Sequence, residues 1–150
     1  MKRLIQRTLF LAALTALPVA YSQGLTEMKT TTQDVAAAQH LIDLHFEIWN
    51  DPNPEHWAAR FPQVYNADFF VADYAGMAVG YDEVAKLLKR VQGEHAGFTF
   101  TPDPITLNHG VGRVTWGYGP QDNPDLVRGE DIFTIENGKL ASARVFIDKK

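Results

Sequence analysis

The chain has 150 residues, 45% of them hydrophobic, no cysteine and a formal net charge of −4 at pH 7. Without cysteine there is no disulfide, thiolate metal ligand or lipidated cysteine, so the stability of the fold must come from a hydrophobic core. The negative charge argues against nucleic acid and anionic lipid as partners, and the hydrophobic content argues against disorder.

The first 22 residues have the three regions of a secretion signal. These are a basic start with Lys2, Arg3 and Arg7, an apolar run from Leu9 to Leu17, and the small-x-small cleavage site Ala20-Tyr21-Ser22. A retained membrane anchor would need roughly 20 consecutive apolar residues, more than this run supplies. We therefore expect residues 1–22 to be cleaved on export to the periplasm or outside the cell. The mature chain then has a net charge of −7, because three of the 14 basic and none of the 18 acidic residues are lost, and no attachment to the membrane.

Residues 23–33 are polar and predict a flexible lead, and a single domain over residues 34–150 follows. Thr31 and Asp34 predict the N-terminal cap of a first helix that ends near Asn50. Asn53-Pro54 predicts the start of a second helix, Pro54–Arg60, which Pro62 should end. The apolar positions of the first helix recur at helical spacing at Ala38, Leu41, Ile42, His45, Ile48 and Trp49.

Alternation over Tyr65–Asp73 predicts a strand, and the segment Tyr74–Val79 is expected to be a loop. A third helix should begin after Gly80 and end at Gly93, with acidic residues in its first turn and basic residues in its last. Its predicted buried stripe consists of Val84, Leu87, Leu88 and Val91.

The remainder of the chain is rich in strand patterns. The predicted strands are Phe98–Thr101, Ile105–Asn108, Val111–Tyr118, Val127–Glu136 and Lys139–Ile147. Asn137-Gly138 is typical of a two-residue hairpin turn between the last two. This order of helices and strands predicts an α+β fold, with helices on one face of a strongly bent sheet that leaves a concave pocket.

The element order and several local patterns over about residues 34–148 resemble the nuclear transport factor 2-like superfamily, and within it the SnoaL-like polyketide cyclases and the ketosteroid isomerases. The patterns are Trp49-Asn50-Asp51, Ala67-Asp68-Phe69-Phe70-Val71, Gly80-Tyr81-Asp82-Glu83-Val84, Val114 to Pro120, Gly129-Glu130-Asp131-Ile132-Phe133 and Asn137-Gly138-Lys139-Leu140. The resemblance implies a cone-shaped fold, with three N-terminal helices on a mixed, mainly antiparallel sheet that encloses a pocket. It also implies a homodimer formed through the outer face of the sheet.

Three polar residues stand where the pattern calls for apolar ones, and such positions are candidates for a site. His45 lies in the apolar stripe of the first helix, Asp131 shares a strand face with Phe133, and Asp73 ends the first strand. Each also has a structural interpretation. His45 would be a core histidine bonded to a backbone carbonyl, and Asp73 would cap the following loop.

For Asp131 the alternative is an ion pair. A two-residue turn pairs Glu136 with Lys139, and Asp131 then falls directly opposite Arg144. A bulge in the hairpin would shift this register and leave the Asp131 carboxylate facing the pocket.

In the ketosteroid isomerase pattern, a tyrosine on the first helix and an aspartic acid on a late strand form an oxyanion hole, and an aspartate near the end of the first strand is the base. The resemblance places His45, Asp131 and Asp73 at these three positions, with histidine replacing tyrosine. In the cyclase branch the late aspartate acts as acid and base. The resemblance thus implies an acid/base pair of Asp131 and His45, with Asp73 as a second carboxylate.

Aromatic side chains are expected to line the pocket and to favour a flat or cyclic apolar carbonyl compound. The candidates are Trp49, Trp57, Phe69, Tyr74, Trp116, Tyr118 and Phe133. The chain has no phosphate loop, dinucleotide fingerprint, zinc motif or serine elbow, so we expect no cofactor and no metal. Two functions remain: a cofactor-independent isomerase or cyclase, or a non-catalytic domain for ligand binding or dimerisation.

Overall fold

The computed structural model describes residues 30–148, so the predicted signal peptide and most of the predicted lead lie outside the described residues. The helices are α1 (Thr32–Asn50), α2 (Pro54–Val64) and α3 (Gly80–Glu94). The strands are β1 (Tyr65–Asp73), β2 (Gly76–Val79), β3 (Thr99–Pro102), β4 (Thr106–Asn108), β5 (Val111–Gly119), β6 (Val127–Glu136) and β7 (Lys139–Ile147). No helix in this range is long and apolar enough to cross a membrane.

The start of α1 is the capping box that the sequence predicts. The Asp34 backbone N–H donates to Thr31 Oγ1 at 3.1 Å, and the Thr31 backbone N–H donates to Asp34 Oδ2 at 2.8 Å. These bonds satisfy two N–H groups, one of them in the unpaired first turn of the helix. The helix then ends at Asn50, as predicted.

The predicted end of α2 is wrong, because the helix continues through Pro62 to Val64. Proline cannot donate to the carbonyl four residues earlier, but that carbonyl belongs to Ala58, an exposed residue. Phe61 and Val64 are buried at the end of the helix. Their burial offsets the loss of one hydrogen bond at a solvent-facing position.

The sheet has the order β2-β1-β7-β6-β5-β3, with β4 also paired to β5. β1 and β7 are parallel and every other described pair is antiparallel, so the predicted mixed α+β sheet is confirmed. The sequence missed β2, which was expected to be part of a loop. It is a four-residue edge strand with no fully buried residue, and so it lacks the alternation by which strands are recognised.

The hairpin of β6 and β7 contains the bulge that decides the orientation of Asp131. Glu136 pairs with Lys139 as predicted, but Ile135 pairs with Leu140 and Thr134 with Ser142, which leaves Ala141 as an extra residue. Beyond this bulge Asp131 pairs with Val145, and Arg144 pairs with Ile132. The ion pair of Asp131 with Arg144 therefore does not form.

The helices cover one face of the sheet, here called the inner face, which carries Val71, Trp116, Asp131 and Val145. The opposite or outer face carries Phe70, Arg113, Glu130 and Arg144, and the Arg144 guanidinium lies 4.9 Å from the centre of the Phe70 ring. Burying the inner face forms the core.

Helix α3 ends one residue later than predicted, at Glu94, so Gly93 is inside the helix and does not cap it. After α3 the chain instead turns at Gly97, whose φ is positive, at 84°, and which leads to β3. Of the predicted stripe, Val84 and Leu88 are fully buried. Leu87 and Val91 are only half-buried, because they face a cavity.

Candidate functional site

A cavity of about 390 Å³ lies between the inner face of the sheet, α1 and α3. Its walls are mostly apolar, with contributions from Val71, Leu87, Phe100 and Val145. Five residues with ionisable acid or imidazole groups also line it: His45, Asp73, Glu94, His95 and Asp131. A cavity of this size and lining is of the kind that holds small organic molecules.

His45 and Asp131 lie next to each other at the wall of the cavity, although they come from opposite layers of the fold. His45 is in the buried stripe of α1, and the bulge in β7 leaves Asp131 of β6 on the inner face. His45 Nε2 lies 3.9 Å from Asp131 Oδ2, and the residues are only 3% and 5% exposed. Two of the three polar groups that the sequence singled out are therefore neighbours, and both border the cavity.

Among residues 30–148, no Lys or Arg forms an ion pair with the Asp131 carboxyl. Its Oδ1 accepts a hydrogen bond of 2.9 Å from Trp116 Nε1. Burial raises the pKa of Asp131 to about 7, against the lowering effect of the Trp116 bond and with a small further rise from the Glu130 charge. Because the charged form is poorly solvated, this carboxyl binds and releases its proton near neutral pH.

His45 is a neutral imidazole in this environment. Its Nδ1 is 2.9 Å from the Tyr65 hydroxyl, and burial lowers its pKa to about 3. The 3.9 Å approach to Asp131 is consequently not an ion pair at neutral pH, because the histidine carries no charge there. The alternative of a core histidine bonded to a backbone carbonyl is wrong, since its partner is a side chain.

Sequence reasoning missed Tyr65. It is the first residue of β1, 20 positions after His45, and is fully buried. The alternating pattern placed it on the same face as Phe69, but nothing in the pattern distinguished it from other core aromatics. Only the packing of α1 against β1 brings its hydroxyl to the imidazole.

Asp73 caps the turn after β1 and also lines the cavity. Its Oδ1 accepts hydrogen bonds from the backbone N–H groups of Ala75 and Gly76, at 2.7 and 3.0 Å. Its Oδ2 lies 3.9 Å from Arg90 Nη2. Within residues 30–148 no hydrogen bond or ion pair joins Asp73 to His45 or Asp131, so the third candidate stands apart from the pair.

Four of the seven predicted aromatic residues line the cavity, namely Trp49, Tyr74, Trp116 and Tyr118. The other three, Trp57, Phe69 and Phe133, lie outside the lining and belong to the core. Trp57 is on α2 and donates to the Asp51 carbonyl, Phe69 stacks on Tyr65, and Phe133 packs over Gly112. Alternation identifies an inward-facing residue but not whether it meets a helix or a cavity.

Further lining residues were not predicted. Phe100 of the short strand β3 stacks on Tyr118, with ring centres 4.2 Å apart. Glu94 and His95 are exposed at the end of α3 and border the same cavity. Among the residues that the structure describes, no three His, Asp or Glu side chains come together in a cluster that could hold a metal ion.

No protein-family model matches the chain, and no curated protein matches it significantly. Solved structures do match. A protein described as an isomerase of the SnoaL-like family from Agrobacterium tumefaciens superimposes with a TM-score of 0.70 and 16% identity, over 76% of this chain and 99% of that one.

A protein described as a polyketide cyclase from Sinorhizobium meliloti matches with a TM-score of 0.59 and 13% identity, over 71% of this chain and 94% of that one. A nuclear transport factor 2-like protein of unknown function from Cytophaga hutchinsonii matches with a TM-score of 0.52 and 15% identity, over 81% of this chain and 94% of that one. At such identities the likeness establishes architecture and not activity. The chain has the nuclear transport factor 2-like fold that SnoaL-like proteins share.

Proposed function

We propose that this protein is an exported SnoaL-like enzyme that binds a small apolar cyclic or carbonyl compound and moves a proton on it without a cofactor, as an isomerase or cyclase. The observation that carries the proposal is the pair of Asp131 and His45, two buried groups 3.9 Å apart at the wall of an apolar cavity.

Asp131 is suited to proton transfer. A general acid or base works best when its pKa lies near the working pH, and burial raises the pKa of Asp131 to about 7. As a carboxylate it can take a proton from the carbon next to a carbonyl, leaving an enolate. As a carboxylic acid it can return that proton to another carbon, which completes an isomerisation with no net change in atoms or charge.

The surroundings favour the charge that develops during such a step. The enolate oxygen would lie in an apolar cavity, where a fixed hydrogen-bond donor stabilises it more than in water. The neutral His45 imidazole lines this cavity, and its Nε2 lies 3.9 Å from Asp131 Oδ2. Trp116 holds the Asp131 carboxyl in place through its other oxygen.

The shape of the cavity supports a cyclic ligand. Trp49, Trp116 and Tyr118 provide large apolar surfaces on its walls, and flat rings pack well on such surfaces. Its volume of about 390 Å³ suits a molecule of one to a few rings.

The second candidate is a non-catalytic domain that binds a ligand or forms a homodimer through the outer face. Two apolar side chains on that face favour a dimer: Val111 is 47% exposed and Phe146 is 44% exposed. A second copy of the chain would cover them. In this alternative the cavity holds a ligand, but Asp131 transfers no proton.

The first experiment finds a ligand. The mature chain from residue 23 is screened by thermal denaturation against cyclic ketones and lactones. A ligand at about 100 times its Kd should stabilise the fold by roughly 2.7 kcal/mol. Exchange of the ligand's carbon-bound hydrogen with deuterium from the solvent, followed by NMR, then tests proton transfer.

Asp131→Asn should lower this exchange rate by about 10²- to 10⁴-fold, the usual contribution of a general acid or base. Glu130→Gln is the matched control, since it neutralises the adjacent carboxylate on the outer face, and its rate should stay within about twofold because Glu130 does not line the cavity. Binding without exchange in the wild-type protein would support the non-catalytic alternative. Sedimentation velocity on the same samples tests the dimer.

A further inference from the structure

Tyr65 and His45 form an isolated hydrogen-bonded pair in the core. The phenol oxygen is 2.9 Å from His45 Nδ1, and the residues are 0% and 3% exposed. In the described part of the chain this is the one hydrogen bond of the Tyr65 hydroxyl. Because Tyr65 is fully buried, its hydroxyl has no access to water, and the direction of this bond decides which imidazole nitrogen carries the proton.

Two arrangements are available. Tyr65 can donate its hydroxyl proton to a bare Nδ1, which leaves the imidazole proton on Nε2. Alternatively, Nδ1–H can donate to the phenol oxygen, and the hydroxyl proton of Tyr65 then needs another acceptor. Among residues 30–148 the hydroxyl has no hydrogen bond other than the one with His45, and Trp49 Nε1 beside it is only a donor, so the structure shows no such acceptor.

The Trp49 indole favours the first arrangement. Its Nε1 is buried without a hydrogen-bond partner of normal geometry, yet it lies close enough to Tyr65 to oppose the rise that burial causes in the pKa of the phenol. When Tyr65 donates to His45, the lone pairs of its oxygen are left to face this N–H. In the second arrangement two buried protons would compete around one oxygen, which is costly.

The contact on the opposite edge of the imidazole also favours a proton on Nε2. Nε2 lies 3.9 Å from Asp131 Oδ2. When Asp131 is ionised, a protonated Nε2 presents a partial positive charge to its carboxylate, whereas a bare Nε2 would present a lone pair and repel it. Tyr65, and Asp131 in its ionised form, therefore both favour the proton on Nε2.

We infer that Tyr65 is a positioning residue: it donates its hydroxyl proton to His45 Nδ1 and so keeps Nε2 protonated, as a hydrogen-bond donor to an oxygen atom of the ligand in the cavity. This divides the roles of the pair. His45 holds the carbonyl oxygen and Asp131 moves the proton. Two groups 3.9 Å apart can both reach one oxygen at normal hydrogen-bond lengths. The role of Nε2 toward a ligand rests on the proposed function, but the position of the proton does not.

Nitrogen NMR of the protein labelled with ¹⁵N-histidine tests the inference without any ligand. His45→Gln identifies the His45 signals among those of the five histidines. In the wild-type protein at pH 7 we expect a protonated Nε2 and an unprotonated Nδ1 whose resonance is shifted upfield by the hydroxyl that it accepts from. In Tyr65→Phe the Nδ1 resonance should move downfield, to the position of an imidazole nitrogen without a hydrogen bond.

Tyr81→Phe is the matched control, because the Tyr81 hydroxyl donates to the Tyr65 backbone oxygen at 3.0 Å and does not contact His45. It should leave the His45 signals unchanged. A protonated Nδ1 in the wild-type protein would overturn the inference even if Tyr65→Phe does not fold, and so would an Nδ1 resonance that Tyr65→Phe leaves in place. If the wild-type protein has this tautomer but does not exchange the carbon-bound hydrogen of a bound ligand, that result would count against the proposed function alone.

Discussion

Glu130 and Asp131 are adjacent residues of β6, yet the two faces of the sheet treat their carboxyl groups in opposite ways. Glu130 is on the outer face, where its carboxylate is partly exposed and paired with the Arg113 guanidinium. Asp131 is on the inner face, buried, with an indole N–H as its hydrogen-bond partner. The outer face compensates the charge of a carboxylate with a nearby cation, whereas on the inner face burial raises the pKa of the carboxyl to about 7, so that it keeps its proton below that pH.

The same contrast extends over the whole sheet. On the outer side Arg128 pairs with Asp103 and Asp125, and Arg144 covers Phe70. Such exposed pairs are each worth at most about 1 kcal/mol, since water solvates both partners well. On the inner side a charge has no such solvation, so its protonation state changes instead. Substitutions on the inner face are therefore expected to change the stability of the fold and the pKa values of its buried groups more than substitutions on the outer face.

The largest effect should come from truncating an inner-face core residue. Phe133 is fully buried and packs over Gly112, so Phe133→Ala should lower the free energy of unfolding by about 3–5 kcal/mol. Phe70→Ala is the matched change on the outer face. Phe70 is already half-buried and its contact with Arg144 is worth about 0.5–1 kcal/mol, so its loss should cost much less.

Urea denaturation of the two variants measures this difference. Equal losses of stability would mean that the outer face is as buried in solution as the inner one, for example within a dimer.

The next effect is a pH dependence of opposite sign in two variants. Folding lowers the pKa of His45 from 6.5 to about 3 and raises that of Asp131 from 3.8 to about 7. Between about pH 4 and 6.5 the unfolded chain thus binds an extra proton at His45, and the folded chain binds one at Asp131. The two contributions to the slope of stability against pH cancel in the wild-type protein.

Removing either residue should reveal the pH dependence of stability that the other contributes. In Asp131→Asn only His45 remains, so stability should fall, relative to the wild-type protein, as the pH drops below about 6.5. In His45→Gln only Asp131 remains, so relative stability should fall as the pH rises from about 4 to 7. Urea midpoints of the three proteins from pH 4 to 8 measure both slopes. Slopes of the same sign would contradict the assigned directions of the two pKa shifts.

The smallest effect is on the Asp131 carboxyl itself. The Trp116 hydrogen bond lowers the pKa of Asp131, so Trp116→Phe should raise it further. Arg144→Ala should leave it unchanged, because the bulge places that guanidinium on the outer face. Carbon NMR titration of the Asp131 carboxyl in each variant provides the values. A rise in Arg144→Ala would mean that the two residues interact after all.

Much of the fold could be predicted from local patterns. Capping residues located α1, alternation located the long strands, and Asn137-Gly138 located the hairpin, because each of these signals depends only on neighbouring residues. The failures lie where local patterns carry no signal or where tertiary packing overrides them. β2 is exposed at the edge, and the end of α2 is held by the burial of Phe61 and Val64, which no pattern around Pro62 reveals.

The candidate site divides in the same way. His45 and Asp131 were recognised as polar residues in apolar patterns, but the choice between an ion pair with Arg144 and an inner-face carboxyl depended on whether a bulge forms. The extra residue is Ala141, and nothing in its identity signals a bulge. Tyr65 and Phe100 were missed because an aromatic residue facing inward has the same pattern whether it packs in the core or borders a cavity.

The sequence by itself determined the order of the helices and of every strand except β2, most of the buried positions, and the polar residues His45 and Asp131 that stand among them, since these follow from periodicity and local chemistry. The tertiary structure alone decided which face Asp131 occupies, that Tyr65 reaches His45, and that three of the seven aromatic candidates fill the core. The physical reason is that register and cavity shape are set by contacts between residues far apart in the chain. A single extra residue in one strand is enough to change them.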